Sequence, residues 1–186
     1  MKFKDMKYER ISVEEIAKEE KELIQAFKEA KSFAEADQIF LKQNALDGHV
    51  NSMQTLASTR HSINTEDPFY DAEESYWNQA SPQINEYYQE FTKALLASPF
   101  RAELEKKYGK IVFMNAEIAL KTFSPAIIPM LQKENELVNT YEKLLASAQV
   151  PFEGKEYTLS QMTLFKNDKD DERRLAAWKA EGQWYK

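Results

Sequence analysis

Three dipeptides constrain this chain more than any other feature: Asp67-Pro68, Ser98-Pro99 and Ser124-Pro125. Each sets a side chain able to cap free helix N–H groups directly before a proline. A proline's missing N–H costs nothing at the first helical position, so each dipeptide is a helix start. Turn-forming residues are scarce between these starts, with 4 glycines and 6 prolines in 186 residues. Few turns in a chain of this length mean long elements, and long elements mean helices. The 11 Phe, 9 Tyr and 3 Trp supply the bulky apolar area a helical core needs.

Hydrophobic spacing agrees with the punctuation. After an extended opening segment, Ser12-Val13-Glu14-Glu15 has the spacing of a capping box, and Val13, Ile16, Leu23, Ile24 and Phe27 recur at helical intervals. A second box, Ser32-Phe33-Ala34-Glu35, opens a helix predicted to run to Ser62. Its stripe is Ala36, Ile39, Phe40, Val50, Met53 and Ala57, with a weak point at Asp47-Gly48. The run from Asp67-Pro68 carries Phe69, Ala72, Tyr76, Trp77, Ala80, Ile84, Tyr87, Phe91, Ala94 and Leu95 on one face, and Pro82 inside it predicts a kink or a break. Ser98-Pro99 starts a helix that Gly109 stops, a helix from Ile111 to Thr122 follows, and Ser124-Pro125 opens one reaching Ser147.

The pattern changes at Val150. Val150-Pro151-Phe152, Glu153-Gly154 and the stretch Lys155 to Leu159 read as a short β-hairpin, with Pro151 confining its strand to an edge. A helical turn after Ser160 and a last helix capped by Asp168, carrying Leu175, Ala176 and Trp178, complete the reading. The predicted fold is mainly α: a bundle of long antiparallel helices with one small β-hairpin near residues 150–159. Residues 1–148 form the predicted bundle, and 149–186 form the hairpin and the start of a helix leading onward. Trp178, Trp184 and Tyr185 crowd the end of a helix that is still running, which predicts further chain for them to pack on.

Several function classes are excluded by composition. A net charge of −6 with no Lys or Arg run does not suit a phosphate backbone, so nucleic acid is not an expected partner. Without cysteine there are no disulfides or thiolate metal sites, which fits a reducing, cytoplasmic setting. No segment approaches the roughly 18 unbroken apolar residues of a membrane helix, and the opening Met1-Lys2-Phe3-Lys4-Asp5 lacks the apolar run of a secretory signal. A soluble chain without a membrane partner is expected.

Few residues in the sequence carry a chemical motif. His49-Val50-Asn51-Ser52-Met53 lacks the glutamate and second histidine of a helical zinc site, and no Glu-x-x-His pair accompanies His49 or His61. There is no glycine-rich phosphate loop and no Gly-x-Ser-x-Gly turn. No catalytic residue, metal ligand or cofactor is assigned in this chain, and substrate-binding residues remain unassigned. Two polar anomalies stand out. Glu134-Asn135 interrupts the stripe Ile127, Ile128, Leu131, Val138, Tyr141, Leu145. It reads as a buried hydrogen-bonding pair that fixes helix register or, alternatively, as a substrate contact. Arg60-His61 lies before the turn at Thr65-Glu66-Asp67, and Asp71, Glu73 and Glu74 lie after it. In an antiparallel hairpin Arg60 is predicted to brace Glu73 or Glu74 in bidentate fashion, with His61 beside the same cluster. The alternative gives Arg60 a substrate carboxylate. The aromatic run Tyr76-Trp77, Tyr87-Tyr88, Phe91 reads as core, and Lys166 to Arg174 as a solvated helix start.

A family resemblance then becomes visible. Met1-Lys2-Phe3, Tyr8-Glu9-Arg10 and the block from Arg60-His61-Ser62-Ile63-Asn64 through Asp67-Pro68-Phe69-Tyr70 resemble the oligoendopeptidase F family of zinc peptidases. So do Ser98-Pro99-Phe100-Arg101 with Gly109-Lys110, Leu120 to Pro125, Leu131 to Asn135, Lys143 to Ala148, and Phe152-Glu153-Gly154 with Leu159-Ser160-Gln161. Pz-peptidase and related oligoendopeptidases are similar throughout. Asn64 departs from the pattern, where Asp is expected, and Pro129 implies a local kink.

The resemblance implies the N-terminal helical domain of a zinc metalloendopeptidase that hydrolyses short peptides. This domain would form one wall of the substrate channel against the protein's own C-terminal catalytic domain. The zinc ligands, a His-Glu-x-x-His motif and a later glutamate, match no position in this sequence, so zinc is expected in the full-length enzyme and this chain on its own is expected to be inactive. A stand-alone helical interaction module that keeps the fold without the peptidase activity is the alternative.

Overall fold

The computed structural model describes residues 2–186, so Met1 of the Met1-Lys2-Phe3 block lies outside the described residues. Among the described residues are eight α-helices and one two-stranded antiparallel sheet, in the order α1 (Val13–Glu29), α2 (Phe33–Ile63), α3 (Pro68–Ala97), α4 (Arg101–Tyr108), α5 (Lys110–Thr122), α6 (Ile128–Ala146), β1 (Val150–Phe152), β2 (Lys155–Tyr157), α7 (Leu159–Lys166) and α8 (Asp171–Trp184). The mainly α fold with one small hairpin is as read from the sequence. The chain divides into two compact units, Met1–Asn135 and Glu136–Lys186, with the division falling inside α6.

In the first unit the caps act locally as their chemistry requires. Ser12 and Glu15 form a complete, reciprocal capping box on α1. At α2 the Ser32 hydroxyl accepts from the Glu35 N–H, but the Glu35 carboxylate reaches one residue further back, to the Lys31 N–H at 2.7 Å. Asp67 caps α3 twice, accepting from the Phe69 and Tyr70 N–H groups. α2 runs unbroken through Asp47-Gly48, because both of its flanking turns are packed. Ser98-Pro99 precedes rather than begins a helix, since α4 starts at Arg101, and Gly109 takes a φ of +95° where α4 hands over to α5. After Ser124 the chain forms a short 3₁₀ helix, Pro125–Ile127, before α6. Pro129 then sits in the first turn of α6, where no N–H donor is required.

Pro82 does not break α3, which is continuous to Ala97. The proline does leave the Asn78 carbonyl, four residues earlier, without its helical donor. Asn135 on α6 makes good the loss: its Nδ2 donates to the Asn78 carbonyl at 3.0 Å. Gln132 Nε2 and Gln83 Nε2 both donate to the adjacent Gln79 carbonyl, at 2.8 and 3.0 Å. The polar interruption of the α6 stripe therefore answers the proline in α3. Asn135 bonds backbone rather than Glu134, which is exposed, so the expected Glu134-Asn135 pair is corrected.

Two apolar clusters fill this unit. One gathers Ile24, Phe27, Ala36, Phe40, Phe91, Ala94, Leu95, Leu104 and Phe113. The other gathers Ile16, Val50, Met53, Leu56, Ala57, Trp77, Ala80 and Ile84. Complete burial of each large side chain in such a core contributes about 1.5–3 kcal/mol. Trp77 and Phe91 of the aromatic run are buried, as core residues should be.

The second unit has its own small core. β1 and β2 pair Val150 with Tyr157 and Phe152 with Lys155 across a two-residue turn. Both turn residues take positive φ, +49° at Glu153 and +79° at Gly154, which matches the twist of a tight hairpin. Val150 and Phe152 pack with Met162 of α7 and Ala177 of α8, and Tyr157, Phe165 and Trp184 close the edges. α8 is capped by Asp170, not Asp168: the Asp170 carboxylate accepts from the Glu172 and Arg173 N–H groups. Asp168 instead accepts from the Asp170 N–H and from Arg173 Nη1, and Arg173 also grips Glu153 through Nε and Nη2, both at 2.7 Å.

Candidate functional site

A densely connected site lies where the opening segment crosses the α2–α3 hairpin. Glu73 on α3 is buried, and its two carboxylate oxygens are held by Arg10 through Nε at 2.9 Å and Nη2, and by the Tyr8 hydroxyl. Tyr8 also accepts from Trp77 Nε1 at 3.0 Å. The Arg10 guanidinium lies 4.6 Å from the centre of the Tyr76 ring, and Tyr76 donates to the Ile11 carbonyl at 2.7 Å. Burial raises the pKa of Glu73, but the Arg10 and Tyr8 bonds outweigh it and hold the carboxyl below its ordinary range. Burial and the bond to Glu73 together push the Tyr8 hydroxyl well up. Glu73 is thus a saturated carboxylate, poorly placed to act as a base. Its role is to pin the opening segment to α3.

Arg60 does not make the brace read from the sequence. Its Nη1 donates to the Tyr70 hydroxyl at 2.7 Å and its Nη2 to the Met6 carbonyl, while the guanidinium lies over the Phe3 and Tyr70 rings. Arg10, 63 residues from Glu73, takes the carboxylate that Arg60 was expected to hold. Hairpin symmetry considers only the two helices and cannot see a third segment laid across them. The position of His61 agrees better: it is 2% exposed, with Nε2 3.3 Å from Asp71 Oδ1. Around Arg60 the side chains of Phe3, Lys4, Lys7, Ile63 and Phe69 shape an open aromatic and cationic hollow of about 700 Å³. Ile63 and Phe69 are well exposed in it.

His49 is separate from His61 in its chemistry, with Nε2 3.1 Å from Glu9 Oε1 at the surface. Each histidine faces one carboxylate from a different segment. Among the described residues, no group of three or more His, Cys, Asp or Glu side chains could hold a metal ion.

A second polar cluster escaped the sequence reading. Glu20 on α1 is fully buried, and Gln43 on α2 bridges it to Asp47 through one amide nitrogen, 2.7 Å from Glu20 Oε1 and 2.8 Å from Asp47 Oδ1. Burial pushes the Glu20 carboxyl up to about 7 and that of Asp47 up to about 6, against the pull of the Gln43 bonds. Tyr88 on α3 is pushed up by burial and by both carboxylates. The signal was available: Glu20 falls between Ile16 and Ile24, Gln43 and Asp47 between Phe40 and Val50, and Tyr88 between Ile84 and Phe91, each on the buried stripe of its helix.

Comparison with known proteins adds what this geometry alone does not supply. The family model for the peptidase M3 N-terminal domain matches residues 3–123. The chain belongs to this family. No curated protein matches it, but solved structures do. A protein assigned as an oligoendopeptidase F matches all of the chain at 37% identity and a TM-score of 0.96. Pz peptidase A, solved with an inhibitor, matches 99% of it at 35% identity and a TM-score of 0.95. A protein assigned as an oligoendopeptidase F from Bacillus anthracis str. Ames matches 97% at 38% identity and a TM-score of 0.93. In each case the match covers 33% of the other protein, so the chain spans about a third of the length of these solved relatives. It is an oligoendopeptidase F-like N-terminal region, a domain of a peptidase. Among the described residues no single helix is long and apolar enough to cross a membrane.

Proposed function

We propose that this chain is the helical N-terminal wall of the substrate channel in a zinc-dependent oligoendopeptidase that hydrolyses short peptides, acting in the cytoplasm, with the zinc ligands contributed by residues outside this sequence. The observation that carries the reading is the likeness over the whole chain to peptidases three times as long. The exposed apolar side chains support it. Ile111, Met114 and Ile118 on α5 are exposed in the first unit, and Leu137, Val138, Tyr141 and Leu144 on α6 in the second. Such surface calls for a covering partner, and the protein's own catalytic domain is the partner proposed.

The test compares this chain with the full-length protein on quenched fluorescent peptides. The chain with added zinc is expected to give no cleavage. The full-length protein is expected to cleave, to lose activity to a chelator, and to regain it with zinc. It should also process short peptides far faster than long polypeptides. Metal-dependent turnover by the chain itself, or equal rates on short and long substrates, would overturn the proposal.

A further inference from the structure

The buried polar cluster is a layer through the core of the first unit. On all three long helices the same arrangement recurs: Glu20 on α1, Gln43 and Asp47 on α2, and Tyr88 on α3 each lie between residues of the two apolar clusters. Glu20 Oε2, Gln43 Oε1 and the Tyr88 hydroxyl are all buried without a hydrogen-bond partner among the described residues. Neither Glu20 nor Asp47 makes an ion pair among those residues. The titratable and charged groups that act on the cluster are Glu20 and Glu19 from α1, Asp47 from α2 and Tyr88 from α3, so no cation offsets two carboxylates. The titratable and charged groups lining the neighbouring α1–α2 groove are Glu15, Lys18, Glu19, Glu22, Lys42 and His49.

Counting donors shows what is missing. Five oxygens accept, from two carboxylates and one amide, while the available donors are the Gln43 amide, already spanning both carboxylates, and the Tyr88 hydroxyl. A proton on a carboxyl removes a buried negative charge and turns an acceptor into a donor. It needs no cavity to do so.

We propose that Glu20 carries a proton at neutral pH, and that the Glu20–Gln43–Asp47–Tyr88 layer is a proton-operated catch holding α1 against α2 and α3. The raised Glu20 and Asp47 carboxyls are consistent with this. When Glu20 loses its proton, the charge is stranded between two apolar clusters and the grip on α1 loosens. Because the folded-state carboxyl is raised above its unfolded value, the stabilisation is complete at acid pH and is lost as pH rises through neutrality. The reading does not depend on the peptidase assignment.

The experiment follows the Glu20 carboxyl carbon by NMR in the full chain across a pH series. A titration midpoint above 6 is expected, and one below 5 overturns the proposal. The urea unfolding constant of the wild type should rise about a hundredfold between pH 5 and pH 8, whereas that of Glu20→Gln, isosteric with the protonated acid, should change far less. Both histidines remain in the variant, so identical pH profiles for the two proteins would also overturn it. Hydrogen exchange of the α1 amides, corrected for intrinsic rate, should quicken over the same range in the wild type only. Unchanged α1 protection would refute the catch. Stabilisation of the wild type at pH 8 by added calcium, abolished in Glu20→Gln, would overturn it as well, since a bound cation rather than a proton would then neutralise the layer. If Glu20→Gln does not fold, the wild-type carbon titration decides the matter.

Discussion

Removing Arg10 probes how the opening segment is held. The Glu73 side chain is 4% exposed and that of Arg10 is 47% exposed, so the two ends of this ion pair live in different media. Breaking a fully buried pair by deleting one partner costs about 3–5 kcal/mol, because a charge is left buried and uncompensated. In Arg10→Ala the Tyr8 hydroxyl still serves Glu73, and the lost cation was half in water, which places the expected cost near the lower end, about 3 kcal/mol. Glu73→Gln is expected to cost less, about 1 kcal/mol, since the orphaned guanidinium can turn to solvent. The double variant should then be more stable than Arg10→Ala by itself. Urea denaturation followed by far-ultraviolet circular dichroism measures all three. The pH dependence carries a sign of its own. In the wild type the Glu73 carboxyl is lowered, so its contribution is present above the unfolded pKa and is lost as pH falls. Without Arg10, burial dominates and raises the carboxyl, and the contribution is lost as pH rises instead. An Arg10→Ala protein within 1 kcal/mol or so of the wild type, or one not rescued by Glu73→Gln, would refute the view that this charge is buried and paired.

Other substitutions test neighbouring steps. Asn135→Ala should cost about 1–2 kcal/mol by orphaning the Asn78 carbonyl, and Pro82→Ala, which restores the helical donor, should recover most of that loss in thermal unfolding. A full penalty in the double variant would mean that Asn135 acts elsewhere. Tyr8→Phe leaves the Trp77 N–H without its acceptor and should cost about 1–2 kcal/mol, with a shift in tryptophan fluorescence as the readout. In the second unit, Arg173→Ala removes a half-exposed bridge to Glu153 and Asp168, so only a small fall in thermal unfolding midpoint, one that shrinks in high salt, is expected.

What the sequence made legible depended on how far each interaction reaches along the chain. The reciprocal box at Ser12, the double cap at Asp67 and the turn at Glu153-Gly154 are settled within four residues, and each could be read directly. Asp168 and Asp170 compete for one helix start two residues apart. Both can cap, and Arg173 binding to Asp168 decides between them, an interaction no periodicity reports. Arg60 illustrates a harder limit. Its place on α2 was clear, but its partner depended on residues 2–11, whose path over α2 and α3 no helical repeat encodes. The buried layer is different again, because its four residues were in plain view on three regular stripes. Helical periodicity is a property of the apolar residues on those stripes, although a polar residue at a core position carries more information than another leucine. Pro82 and Asn135 show the same thing in pairs. Each reads as a defect in its own helix, one lacking a donor and the other interrupting an apolar face, yet the amide of one supplies what the other removed. Polar exceptions on buried faces are therefore best matched against one another before any of them is assigned to a substrate.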